Sequence, residues 1–298
     1  MKDYNTINIV GNGFVGSSCG YLCQKNNITY NMCDVKIDQK IETCWYQFFT
    51  NEIRKLVEWS ENENENNINY YFICVPTPSD ETGECDISIV ESVISDINKM
   101  CRKQTFIIVK STLVPGTCRM FSEKYKNVDI VLSPEFLTEK NCFNDMYNAK
   151  YVLLGMQDVS LNKYQQLLRL FRDMYKHNYD LDIYTKTFEE CELFKYTLNT
   201  YLATKITFFN EIYELADKIG VDYQSLKTMF ELDSRIGKYG TQVPGTGNTH
   251  RGFFLSCLPK EVKGMIKLQE KLGLSNELMK CVDTRNAYFN QQVAKTEQ

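Results

Sequence analysis

Histidine is nearly absent: His177 and His250 are the only two in 298 residues, and no pair of cysteines stands in C-x-x-C spacing. A zinc site needs several such donors close together, so no metal site is expected. Also missing is any basic run long enough to follow a phosphate backbone; 34 Lys and Arg stand against 38 Asp and Glu, for a net charge of −4. Nucleic acid is therefore not an expected partner. No stretch approaches the ~18 to 20 uninterrupted apolar residues of a membrane span, and Met1–Asn5 leads into a polar strand-like segment instead of a signal peptide. These absences predict no membrane partner and a cytoplasmic protein, in its own cell or in a host. Internal repeats are missing as well.

What remains is ordinary globular composition, 43% apolar and 24% charged, in a chain long enough for about two domains. Twelve cysteines would suit a disulfide framework in a small secreted protein, but in a chain of this length without a leader they read as reduced thiols. Cys19 and Cys23 lie one helical turn apart and are expected to pack, not to bind a ligand.

Short β-rich apolar runs alternate with amphipathic helical stretches: Thr6–Val10, Thr29–Cys33, Tyr70–Val75, Thr105–Val109, Asp129–Leu132, Tyr151–Leu154 and Asp182–Tyr184. Such alternation requires crossovers and predicts a mainly parallel sheet. The run Glu61–Asn69, with Ile68 its one apolar residue, has no helical period and is expected to be a solvated connection. From Thr187 the pattern changes: Cys191, Phe194, Leu198, Tyr201, Ile206, Phe209, Ile212, Ala216 and Ile219 recur at helical spacing until Gly220 supplies a stop. One long helix is predicted, followed by helical segments around Asp222–Leu232, Pro259–Leu272 and Ser275–Gln292. The expected fold class is α/β: a doubly wound, mainly parallel sheet over residues 1–186, then an all-helical domain with one long central helix over residues 187–298.

The strand Ile7–Val10 runs into Gly11-Asn12-Gly13-Phe14-Val15-Gly16 and then into a helical stretch from Ser17 to Gln24. A G-x-G-x-x-G alone is a weak signal, but here it sits between strand and helix, and the second strand ends in Asp34, 18 positions beyond Gly16. Gly11 permits the tight turn, Gly13 lets backbone approach a pyrophosphate, and Gly16 lets helix pack on strand. Asp34 suits the ribose diol and repels a 2′-phosphate, so the expected cofactor is NAD, not NADP.

Further segments follow in order: Val75-Pro76-Thr77-Pro78, Lys110 to Thr117 (KSTLVPGT), Ser133 to Glu139 (SPEFLTE), Lys195 to Asn199, Arg235-Ile236-Gly237 and Ser256 to Glu261 (SCLPKE). Together they make the chain, from Gly11 to about Asn290, resemble the UDP-glucose/GDP-mannose dehydrogenase family, most closely its UDP-glucose 6-dehydrogenases. The resemblance implies a Rossmann-type NAD domain, a helical domain through which a homodimer forms, and a nucleotide-sugar substrate. It implies oxidation of the sugar's C6 alcohol to a carboxylate, UDP-glucose to UDP-glucuronate, with two NAD and one water. By the same resemblance Cys257 traps the aldehyde as a thiohemiacetal and then a thioester, and Lys195 and Asn199 stabilise the oxyanion. Glu135 and Thr112 serve the water that opens the thioester, and Glu139 lies beside the nicotinamide. Phe14, Val15, Val75, Pro76, Thr77, Ser111, Thr112 and Lys260 join the NAD set. Glu135, Phe136, Leu137, Lys195, Asn199, Gly252 and Phe253 form the substrate set, with Arg235 reaching the neighbouring subunit's sugar nucleotide.

Physical chemistry supports several of these roles. Pro259 is suited to the first position of a helix, which places the Cys257 thiol at an electropositive helix end, with Lys260 and Lys195 as candidate cations. Lys195 and Asn199 are four apart and project from one helical face, so both can act on one oxygen. Glu135 and Glu139 have the same spacing and suit acid–base work if one is desolvated. Three departures from the family pattern stand out. Phe254 and Leu255 replace two expected glycines before Cys257, in a loop lengthened over Val243–Arg251, which reshapes or closes the substrate pocket. Glu261 stands where the family has Asp, and the sequence ends after the helix carrying Arg285, where relatives commonly continue into a nucleotide-gripping domain. An impaired, NAD-binding relative acting as a regulatory or complementing subunit is therefore the alternative reading, and GDP-mannose and UDP-N-acetylmannosamine are alternative substrates.

Overall fold

Each β-rich run forms a strand because residues on both sides of the pleat find apolar cover. In the computed structural model, which describes residues 6–34, 67–80, 83–157, 159–245, 250–254 and 257–294, Tyr70 and Phe72 point into one core while Tyr71 and Ile73 point into another. Burial on both faces is the mark of a doubly wound sheet. The strands are β1 (Thr6–Val10), β2 (Asn31–Cys33), β3 (Asn69–Ile73), β4 (Thr105–Val109), β5 (Asp129–Leu132), β6 (Tyr151–Gly155) and β7 (Asp182–Lys186), in the order β2-β1-β3-β4-β5-β6-β7. All neighbours are parallel except β5 and β6, which meet antiparallel through the single pair Leu132 and Gly155.

Helices α1 (Phe14–Lys25) and α5 (Leu161–Met174) cover one face, through Cys19, Leu22, Leu167 and Phe171. Helices α2 (Ser88–Met100) and α3 (Thr117–Lys124) cover the other, through Val90, Ile94, Cys118 and Phe121. Burying one such large apolar side chain contributes roughly 1.5–3 kcal/mol. A short α4 (Cys142–Tyr147) precedes β6. Cys19 and Cys23 are packed in this core as expected, and every cysteine among the described residues is a free thiol.

The long helix is α6 (Phe188–Lys218), stopped by Gly220 at φ +74. It is followed by α7 (Tyr223–Leu232), α8 (Cys257–Lys271) and α9 (Glu277–Ala294). The chain divides into two compact units, one holding residues up to Thr77 with Asp86–Lys195, the other Pro78–Cys85 with Tyr196–Gln298. The division falls at Lys195 and not at 187, because Phe188 and Cys191 are buried in the sheet's second core and carry the start of α6 with them. Pro78–Cys85 joins the helical unit, where Glu84 pairs with Lys271 at 2.6 Å and Gly83 lies against Lys263. That unit has its own cores, around Ala203, Phe253, Val262 and Val282 and around Phe209, Ala216, Tyr223 and Val243.

Apart from β1, β4 and β5, which keep the expected limits, strand and helix limits shift from the sequence expectation by one to three residues. Helix α1 begins at Phe14 and not at Ser17, so Gly16 is already helical. Helix α8 begins at Cys257, which makes Pro259 its third residue and not its first. Proline has no N–H to lose within a first turn, so both placements are sterically allowed. The solvated run expected at Glu61–Asn69 falls outside the described residues as far as position 66. Among the described residues no helix is long and apolar enough to cross a membrane.

Candidate functional site

The strand order reverses between β1 and β3, and a doubly wound sheet binds its ligand at such a reversal, beyond the carboxyl ends of the strands. The Gly-rich turn leaves β1 there. Gly11 has φ +97, and a Cβ on it would stand 2.6 Å from the Cys74 carbonyl oxygen; one on Gly16 would stand 1.8 Å from that of Gly11. Both positions are closed to any side chain. A Cβ on Gly13 would meet nothing within 4 Å, so the backbone is open there, and Gly13 supplies no side chain to cap α1. The first-turn amides of α1, from Phe14, Val15 and Gly16, are thus available to a diphosphate. Asp34 is drawn to the same turn, its Oδ2 accepting the Asn12 N–H at 2.5 Å. These residues fit a dinucleotide.

On the other side of the reversal, Val75, Pro76 and Thr77 leave β3. The Ser111 hydroxyl donates to the Val75 carbonyl at 2.7 Å and the Thr77 hydroxyl to the Thr112 carbonyl at 2.9 Å. The polar groups expected to face a cofactor thus tie the β3 and β4 exits together.

Past β5, Glu135 is buried and Glu139 is exposed, so the two carboxylates occupy unlike environments. The Glu135 carboxylate accepts the Leu137 N–H at 2.7 Å and pairs with the Lys195 ammonium at 3.2 Å; that ammonium also donates to the Glu135 carbonyl at 2.6 Å. It lies 5.4 Å from the centroid of the Phe136 ring. A buried charge requires a partner of opposite sign, and Lys195 and Glu135 supply one another. Beside them opens a cavity of about 420 Å³, lined by Lys110, Glu135, Phe136, Leu137, Asn141 and Tyr175.

In the helical unit, Asn199 donates its amide to the Glu261 carboxylate at 2.5 Å, and Glu261 is fully buried. Glu261 follows Cys257 by one turn of α8, on the same face. Cys257 opens that helix and is partly exposed. Burial pushes the Tyr239 hydroxyl above its ordinary range, and the charge of a Cys257 thiolate adds to the rise.

The two α6 side chains expected to share one oxygen thus have different partners, Glu135 for Lys195 and Glu261 for Asn199. Arg235 is almost fully exposed and pairs with Asp233. The Phe253 side chain lies in the helical core, and its N–H and carbonyl are both bonded to Asn286, at 2.7 and 2.8 Å. Its ring is therefore committed to packing. Gly252 has φ +73, and a Cβ there would stand 2.4 Å from the Asn286 Oδ1, so this glycine serves the same clamp. Phe254 is half exposed and stacks on His250 at 4.5 Å; Leu255 and Ser256 lie outside the described residues. Lys260 is partly buried in the first turn of α8.

Two residues here carry no emphasis in the sequence reading. Lys110 is buried, donates to the Ser133 hydroxyl at 3.3 Å and lines the cavity. Its signal was a lysine ending an apolar strand. Tyr239, four residues after Arg235, had no comparable signal, because only folding brings it within range of the charge of Cys257.

Comparisons with known proteins extend over nearly the whole chain. The chain is 30% identical to a UDP-glucose 6-dehydrogenase of Campylobacter jejuni, over 93% of its length and 71% of the relative's. It is 28% identical to one of Rickettsia typhi, over 94% of its length and 66% of the relative's. The chain thus spans about two thirds of the length of these relatives. Among solved structures, a UDP-glucose dehydrogenase from the hyperthermophilic archaeon Pyrobaculum islandicum superposes with a TM-score of 0.76 at 25% identity, covering 95% of this chain and 68% of that one. The NAD binding domain of the UDP-glucose/GDP-mannose dehydrogenase family matches residues 5–177 and its central domain residues 189–288. With a dinucleotide turn, a seven-stranded doubly wound sheet and both family domains in order, the chain belongs to the UDP-glucose/GDP-mannose dehydrogenase family, and its cofactor is NAD.

Proposed function

We propose that the protein is a nucleotide-sugar 6-dehydrogenase that carries a C6 alcohol to the carboxylate, with UDP-glucose as substrate and UDP-glucuronate as product. The observation that carries this reading is Cys257, partly exposed at the first residue of α8. A helix N-terminus favours a thiolate, the form that attacks a carbonyl. NAD, when bound, accepts the hydride in each of two oxidations. Cys257 adds to the aldehyde left by the first, and loss of the second hydride leaves a thioester, which water opens to acid and free thiol. Lys195 has the means to stabilise the alkoxide, since an ammonium has three donors and Glu135 takes two of them. Glu135 is assigned to the hydrolytic water, and Asn199, Thr112 and Glu261 to supporting it.

The protein acts as a homodimer in this reading. Tyr201, Phe208, Leu215 and Ile219 recur along one face of α6 and are each more than half exposed. Their spacing of seven, seven and four suits the seam of a helix pair and supports a second copy of the chain as the partner. Arg235, exposed as it is, suits the role of reaching across that interface.

The test is NADH formed per UDP-glucose consumed at saturating NAD. Two per sugar supports the four-electron reaction. NAD binding with no sugar-dependent NADH from UDP-glucose, GDP-mannose or UDP-N-acetylmannosamine overturns it in favour of a silent or complementing subunit. Light scattering of the wild type and of Phe208→Lys checks the dimer; equal masses for the two proteins would count against the α6 seam.

A further inference from the structure

Glu192 stands three residues before Lys195 on α6, is 1% exposed, and belongs to none of the sets described above. Its Oε2 accepts the Gly116 N–H at 2.6 Å and its Oε1 accepts the Cys118 N–H at 2.8 Å. Gly116 is the N-cap of α3, at φ +96, and has no side chain with which to cap it. Glu192 satisfies those amides from another helix. They close the segment Lys110–Gly116, which carries Ser111 and Thr112 and is bonded to Val75 and Thr77 at the border of the strand-order reversal.

The groups around Glu192 are the Cys118 thiol and Arg119 on α3, and Glu189 and Cys191 on α6. Arg119 is engaged by Glu189 through two of its nitrogens, at 2.9 Å for the second. Burial pushes its carboxyl up to about 7, with Glu189 adding to the rise and the two amides and the thiol opposing it. Neutral pH therefore divides it between two states.

We propose that Glu192 is a positioning residue for NAD, a carboxylate latch that grips the Gly116 and Cys118 amides strongly when ionised and less strongly when protonated. Protonation removes the charge and leaves a hydroxyl oxygen that is the weaker acceptor, so the Lys110–Gly116 segment is held less tightly beside the cofactor crevice. This inference rests on NAD binding and on the assignment of Ser111 and Thr112 to the NAD site. It stands whether or not the protein oxidises any sugar.

The experiment is the pH dependence of the NAD dissociation constant, with wild type compared with Glu192→Gln. Wild-type affinity is expected to tighten about fivefold to tenfold as the pH rises from about 6 to about 8, the order of the difference between a charged and an uncharged acceptor. NAD itself has no group that titrates in this range, and E192Q is expected to show no step. The cofactor-free proteins give a second reading with its own sign. The folded carboxyl holds its proton to a higher pH than in the unfolded chain, so its stabilising contribution is complete below the ordinary glutamate value and is lost as the pH rises through about 7. The melting temperature of the wild type should therefore fall relative to E192Q between about pH 5 and about pH 8. The melting profile reports the titration of Glu192 alone, and the pH step in NAD affinity is what a purely structural cap would not give. An equal step in E192Q, or a flat wild-type profile, overturns the proposal. Should E192Q not fold, Glu192→Asp replaces it: a displaced midpoint supports the latch and an unchanged one overturns it.

Discussion

Two buried carboxylates, one in each compact unit, are held by side chains of the same helix, and by different chemistry. Glu135 meets the ammonium of Lys195, whereas Glu261 meets the amide of Asn199. Removing one member of a buried ion pair strands a charge, while removing an amide donor loses a hydrogen bond, and the first is the larger penalty. Positions one turn apart on α6 thus have unlike work. Lys195 neutralises a charge where the sheet unit ends, and Asn199 aims a carboxylate where the helical unit begins.

The largest expected effect separates the units by function. Cys257→Ala should abolish acid formation while leaving NAD affinity unchanged, because the cofactor turn is built wholly within the sheet unit; acid production equal to wild type, measured by NADH yield, would remove the covalent role. The comparison itself is sharpened by paired denaturation curves. Lys195→Met should destabilise by about 3–5 kcal/mol, through the stranded Glu135 charge. Asn199→Ala should lose about 1–3 kcal/mol. Equal losses would break the distinction between the two carboxylates. The smallest effect on stability is expected at Gly13→Ala. Its backbone, at φ −71 and ψ −173, accepts an alanine, and a Cβ there meets no protein atom within 4 Å. The melting temperature should not move, while NAD affinity, read by titration, should fall about tenfold, or ~1.4 kcal/mol, as the methyl takes space meant for the diphosphate.

Much of the sheet unit was legible because its signals are local. Thr6–Val10, Thr105–Val109 and Asp129–Leu132 are strands at the limits their composition indicated, and the Gly-rich turn lies between β1 and α1 as its spacing required. The antiparallel β6 was not legible, since its run is as apolar as those of its parallel neighbours and strand direction is set by the connection, here α4 and the segment around it. Among the site residues, Glu135 and Glu139 look alike by spacing, yet only Glu135 is buried, because Lys195 arrives from α6 to pair with it. Phe253 was expected in the substrate set, but nothing local in the sequence indicated that Asn286, 33 residues on, holds its backbone or that its ring lies in the helical core.

The sequence by itself determined the family, the NAD turn, the order of strands and helices, and the placing of Cys257 at a helix start, since each is written within a few consecutive residues or a fixed period. Only the tertiary structure decided the partners. Glu192 and Gly116 are 76 residues apart, Lys195 and Glu135 are 60, and Asn199 and Glu261 are 62. No local pattern encodes which buried acid meets an amide, an ammonium or a pair of backbone N–H groups, because that choice is made by long-range packing, and with it the charge state each acid can hold.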